Sequence, residues 1–330
     1  MKGKFLLLSC FIAVNVFAQN DSTGNTNVSN QTNKKKWPDR ETATIFYGQR
    51  LINAKTVEVL HKGAMAFTVV HTFGDVAGDN GGTYNFFGLD EVSDAQIGFQ
   101  IGIAKRLNLV LQHTVGNKKG ETGETDKRIF LVAHFYEAGL KYQFLDQAAN
   151  GSPFSLTGYG NIVSTAERFS PEDSMENYFV NSGDRLSQML QLMIARRFGA
   201  VSLQLSGTFL HTNRVIPGDQ NNLFAIGGAV RLPLTKSVFI ISDYFHSFRS
   251  SESIVAWRAR GNSFDFHDVF GIGVEILTAG HVFHLNFTNA RNILENRFLT
   301  HTTDSWSEGE FRWGFTLTRN FMLFKAKDKK

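Results

Sequence analysis

Strict alternation between apolar and polar residues is what most narrows the folds open to this chain. In "HVFHLNFT", residues 281–288, an extended backbone puts His281, Phe283, Leu285 and Phe287 on one face and Val282, His284, Asn286 and Thr288 on the other. The same split recurs upstream. Ile97, Phe99, Ile101 and Ile103 oppose Gln96, Gly98, Gln100 and Gly102. Leu107, Leu109 and Leu111 oppose Asn108 and Gln112, and Val201, Leu203, Leu205 and Phe209 oppose Ser202, Gln204, Ser206 and Thr208. Later, Phe266, Phe270, Ile272, Val274 and Ile276 oppose Asp265, His267, Gly271, Gly273 and Glu275. In the last such segment Phe311, Trp313, Phe315, Leu317 and Phe321 oppose Arg312, Gly314, Thr316, Thr318 and Asn320. No stripe of helical period competes with these, so the chain reads as all-β.

Connections narrow the architecture further. Short links fall at about 104–107, 145–152, 198–200, 233–236 and 277–280. Longer polar links fall at about 74–94, 117–127, 169–184, 214–221, 250–262 and 289–305. The two kinds alternate. A soluble sandwich has no reason to gather every long link at one end, whereas an outer-membrane barrel has short periplasmic turns and long external loops. The expected fold is a transmembrane antiparallel β-barrel of about 12 strands, an even number that leaves both ends on the short-turn side. The 31 phenylalanines suit a lipid-facing band with aromatic girdles. A water-soluble barrel would turn that apolar face inward.

Residues 1–18 read as a secretory signal peptide: Lys2 and Lys4 precede an apolar stretch that ends in Val16-Phe17-Ala18. Cys10 follows "LLS", but too few apolar residues precede it for a lipoprotein signal. Cleavage would remove the chain's one cysteine, and with it disulfides, thiol nucleophiles and cysteine metal sites. It would also leave 32 basic residues against 30 acidic ones, a balance that does not point to nucleic acid. Residues 19–40, polar and of low complexity, read as a disordered periplasmic leader. Residues 41–62 read as a plug or N-terminal extension, 63–324 as the barrel and 325–330 as a basic tail.

Several segments carry a resemblance. "RLINAKTVEVLHKGAMAFTVVHTFG" near the start, "YNFFGLD" at 84–90, "DRLSQMLQLMIARRFG" at 184–199 and "GHVFHLNFTNARNILENRF" at 280–298 resemble an uncharacterised family of bacterial membrane-bound β-barrels, domain of unknown function 5777. The resemblance runs over nearly all of the chain from about residue 40 and implies an outer-membrane barrel. It brings neither an activity nor a set of catalytic residues.

Spacing constrains what the chemistry-bearing residues can do. His281 and His284 fall on opposite strand faces, which suits a wall better than a shared metal. His71, His113, His134, His211 and His246 sit near strand ends or among aromatics, as interfacial residues do. "GDVAGDNGG" at 74–82, with Asp75 and Asp79, lacks the carboxylate pattern of a calcium loop and reads as an external loop. Ser263, Asp265 and His267 share a face and admit a lipid hydrolase, but no G-x-S-x-G element supports one. The inward face is expected to be lined by Gln96, Gln100, Asn108, Gln112, Glu137, Lys141, Gln204, Asp265, Glu275, His284, Asn286, Arg312, Thr316 and Asn320. These polar residues favour a narrow, non-enzymatic pore or transporter for a small solute in the outer membrane. It would need no cofactor, and its partners would be outer-membrane lipid, the solute and a periplasmic protein. The alternatives are a non-conducting docking barrel and the lipid hydrolase.

Overall fold

An alternating segment has one face fit for lipid and one whose polar groups need partners, and closing the sheet on itself serves both faces while leaving no unpaired edge in the membrane. The structure is a computed structural model that describes residues 44–78, 81–118, 131–148, 151–259 and 265–324. Its strands are β1 (Ala64–Asp75), β2 (Val92–Ala104), β3 (Leu107–Lys118), β4 (Leu131–Leu145), β5 (Ser155–Thr165) and β6 (Leu186–Phe198). They continue as β7 (Val201–Thr212), β8 (Asn222–Pro233), β9 (Val238–Phe248), β10 (Val269–Leu277), β11 (His281–Thr288) and β12 (Arg312–Met322). Each pairs antiparallel with its neighbour in sequence, and β1 closes on β12 to complete a barrel of 12 strands. The signal peptide, the leader and the basic tail expected at 1–18, 19–40 and 325–330 lie outside the described residues, as do Asp79 and Ser263.

The two faces separate as the alternation requires. Ile97, Leu111, Leu140, Leu190, Leu205, Ile226, Ile272 and Leu285 are exposed on the outside, while Gln96, Asn108, Glu137, Gln204, Glu275 and Thr316 are buried inside. Links of two to four residues join β2 to β3, β6 to β7, β8 to β9 and β10 to β11, and one of nine residues joins β4 to β5 at the same end; links at the other end run from nine residues between β7 and β8 to 23 between β11 and β12. Aromatic pairs crowd the long-link end, among them Phe287 with Trp313 at 4.1 Å and Trp306 stacked on Phe311 at 4.6 Å.

Two features depart from a plain wall. The link before β10 contains helix α1 (Ser251–Arg258), started by Ser250, whose hydroxyl accepts from the Ser253 N–H at 3.2 Å. The link before β12 contains helix α2 (Glu295–His301), which turns inward: Ile293, Leu294, Phe298 and Leu299 are all buried. Phe298 packs edge-on against Phe245 of β9 at 5.3 Å. Residues 44–62 also lie within the wall, so the main buried cluster combines three sources. Ile45, Phe46, Leu51, Ile52, Ala54 and Val57 come from this segment, Met189, Met193, Leu210, Ile241 and Phe245 from the wall, and Phe298 and Leu299 from α2.

Candidate functional site

The lumen is where side-chain chemistry concentrates. Its N-terminal occupant enters at the short-turn end, rises and returns to β1. On the rising leg the Ser202 hydroxyl donates to the Ile45 carbonyl at 2.5 Å. At the tip, Leu51 N–H donates to Ala54 O at 2.9 Å and closes a tight turn. That turn aims successive backbone N–H groups at one carboxylate: Ile52, Asn53 and Ala54 donate to Asp243 Oδ2 at 3.1, 2.6 and 2.8 Å. Asn53 Nδ2 adds a bond to Asp243 Oδ1 at 2.9 Å. The descending leg is gripped by amides. Gln204 accepts from Val57 N–H at 2.9 Å and donates to Lys55 O at 2.7 Å, while Asn108 accepts from Leu60 N–H at 2.6 Å and donates to Leu60 O at 3.0 Å.

Charges meet near mid-lumen. Lys55 Nζ lies 2.7 Å from Glu295 of α2 and 3.4 Å from Glu137 of β4. Burial works against its ammonium, yet Glu137 and Glu295 outweigh burial and hold its pKa above the ordinary lysine value. Glu137 also accepts from Tyr159 and from Asn161 Nδ2. Arg50 donates to Gln96 at 3.2 Å and to the Ile293 carbonyl at 2.8 Å, so the segment from the short-turn end touches the link folded in from the other end. At the short-turn end Arg231 Nε donates to Glu275 at 2.5 Å, and His284 Nε2 lies 3.1 Å from the second oxygen of that carboxylate.

Among the residues expected inside, Gln96, Gln100, Asn108, Glu137, Lys141, Gln204, Glu275, His284, Asn286, Arg312 and Thr316 are buried, and Gln112 is half-buried. Two are not. Asp265 precedes β10, is exposed and pairs with Arg258 of α1, which holds its carboxyl below the usual range through a hydrogen bond and charge. The link before β10 runs longer than its alternation suggested, because α1 draws Asp265 away from the barrel. Asn320 sits exposed at the end of β12, beyond the buried run that ends at Thr318. His281 packs beside Phe283 at 5.7 Å and His284 points inward, so the two do not converge. Among the described residues no three of His, Cys, Asp and Glu gather around a metal position.

The model of the family described as "Membrane bound beta barrel domain" matches residues 46–321. The chain belongs to this family. No curated protein matches it. Among solved structures, the "COG4313 outer membrane channel from Pseudomonas putida F1" is 15% identical with a TM-score of 0.50, covering 80% of this chain and 98% of that one. The "KdgM porin" is 8% identical with a TM-score of 0.45, covering 78% of this chain and 99% of that one. At such identities the likeness is one of fold.

Asp243 and Thr157 were not expected inside, although both are buried and, with Ser202 from the polar face of β7, hold the family barrel's inner segment. The signal for Asp243 was a carboxylate on the face it shares with Ile241 and Phe245; an acid among apolar residues inside a strand needs donors. A cavity of about 620 Å³ lies on the outer wall beside Leu203, Leu205 and Tyr244. Those side chains face lipid, so it is not a lumen site.

Proposed function

We propose that the protein is a gated, non-enzymatic channel for a small polar solute in a bacterial outer membrane, shut in this state by residues 44–62 from the short-turn side and by the 289–311 link from the other. One observation carries this reading: the occupying segment is hydrogen-bonded to the wall without joining its sheet. Its one bridge, Arg50 with Lys55, is internal to the segment. Hydrogen bonds exchanged with water contribute only about 0.5–1.5 kcal/mol each, so such an occupant can leave while the barrel's own pairing stays intact. Charged and amide groups left unpaired inside, such as Lys141 Nζ and Gln143 Oε1, suit a wall that water reaches when the segment is out. Opening would act from the periplasm, on the chain that leads into Thr44.

The test is single-channel recording of the full-length protein in planar bilayers. Rare steps are expected for the native chain and frequent ones for Asp243→Ala, which leaves the tip's N–H groups without their acceptor. Silence from both, with a folded barrel confirmed by heat-modifiable gel mobility, ends this reading.

A further inference from the structure

The wall recognises its occupant mainly through the backbone. Asn108 and Gln204 each present an acceptor and a donor to the peptide N–H and C=O groups of the descending leg, at distances between 2.6 and 3.0 Å. The Thr157 hydroxyl donates to Val57 O at 2.8 Å, Ser202 to Ile45 O, and His284 Nδ1 lies 3.0 Å from Leu51 O. Asp243 takes backbone N–H groups at the tip. Fewer wall contacts reach side chains of the segment: Asp243 and Thr288 meet Asn53, Gln96 meets Arg50, Gln100 meets Gln49 and Glu137 meets Lys55. A primary amide placed against both the N–H and the C=O of one residue, as Asn108 is against Leu60, reproduces the pairing of a strand neighbour. Such a contact does not depend on which side chain the residue carries. Simple ions offer no such donor–acceptor pair, whereas vicinal sugar hydroxyls do, so an oligosaccharide is the competing ligand that the experiment includes. The occupant is also two legs wide, so leaving it out frees more room than one extended chain requires.

We propose that the solute class admitted by this lumen is the peptide: once residues 44–62 withdraw, Asn108, Gln204, Thr157 and Ser202 accept the backbone of an incoming oligopeptide in the segment's place. This rests on the gated-channel reading and narrows it to one substrate class. Preference among peptides is expected to be weak, and charge preference to follow Glu137 and Lys141, which flank the path on β4.

The experiment uses full-length Asp243→Ala, and Asn53→Pro as a second opening variant that alters only the segment and leaves the wall untouched. Four probes are added: a capped peptide of sequence AKTVEVL, its scrambled version, its backbone N-methylated version and an uncharged heptasaccharide. Both unmodified peptides are expected to interrupt the current. N-methylation, or Asn108→Ala with Gln204→Ala in the protein, should shorten the interruptions about ten-fold, the loss expected for a few hydrogen bonds. The heptasaccharide should pass or be ignored. Interruption by the native sequence alone would show a dedicated receptor for the segment and overturn the proposal, as would equal interruption by the sugar or none by any peptide. Fluorescence anisotropy of the labelled peptides on the folded variants in micelles gives the same comparison without current. Binding there that needs Asn108 and Gln204, in a protein that never conducts, would retain peptide recognition and reject the channel; absence of binding would reject peptide recognition itself.

Discussion

At the scale of single residues, the lumen is governed by groups that cannot be buried alone. Lys55 is the clearest case, because two carboxylates on different elements converge on its ammonium. Removing one member of a buried ionic group leaves the others uncompensated, which costs about 3–5 kcal/mol. Lys55→Met is therefore expected to lower stability by about that amount in urea unfolding from vesicles, and Lys55→Met with Glu295→Gln to recover part of the loss. A loss under about 1 kcal/mol would place the group in water instead. None of these contacts is local. Lys55 and Glu295 are 240 residues apart in sequence, and Asn53 and Asp243 are 190 apart. Sequence alone marked Glu137, Gln204 and Asn108 as inward because strand parity is local, but their partners are fixed only by closure of the whole sheet.

Elements were legible where polarity alternates cleanly and less so where it does not. On β6, β8 and β9 much of the inner face is apolar, with Met189, Met193, Leu223, Ala225, Ile241 and Phe245, so inside and outside resemble each other at those positions. Helix α2 is hard to see in a link whose composition is mostly polar; the apolar residues Ile293, Leu294, Phe298 and Leu299 are the signal that it folds inward. Its last residue makes a prediction about pH. Burial, then the neighbouring Arg297 charge, hold the His301 imidazole below the ordinary histidine value of about 6.5, and Nε2 lies 2.6 Å from Glu176. Packed α2 thus resists a proton that the detached link accepts. The stabilisation is present above about pH 6.5 and declines as pH falls through that value. Hydrogen exchange of the α2 amides should be faster at pH 5 than at pH 7.5 after correction for intrinsic rates; equal protection would contradict the assignment. A second prediction concerns the segment's exit. Gly102 of β2 faces the chain so closely that an added Cβ would stand 2.0 Å from the His61 carbonyl oxygen. Gly102→Ala must push that backbone aside, and limited proteolysis in micelles should then cut residues 44–62 faster. Unchanged cleavage would show that β2 yields instead.

For the whole molecule, the governing contrast is between a lipid-facing outside and a polar, filled inside. Leu205, 66% exposed and near the middle of β7, lies on the outside, next in sequence to the buried Gln204. Leu205→Arg is expected to weaken folding into phospholipid vesicles by about 2–4 kcal/mol, the cost of a cation on the lipid face near the midplane. A refolding titration with no shift would put that face in water. The overall architecture was readable because two local patterns, strand parity and alternating link lengths, lead to the same closed barrel. How the barrel is filled was not, since that depends on which buried groups meet. One consequence concerns the attachment of the filling. Only His61, Lys62 and Gly63 separate Leu60, gripped by Asn108, from the first residue of β1. On so short a leash the segment never diffuses away: the lumen experiences it at an effective concentration of about millimolar or above, however dilute the protein. Under the gated-channel proposal, even a weak hold then keeps the barrel shut, and each molecule opens and closes as a unimolecular event. A free competitor has to reach comparable concentration to displace it, unless the leash is pulled.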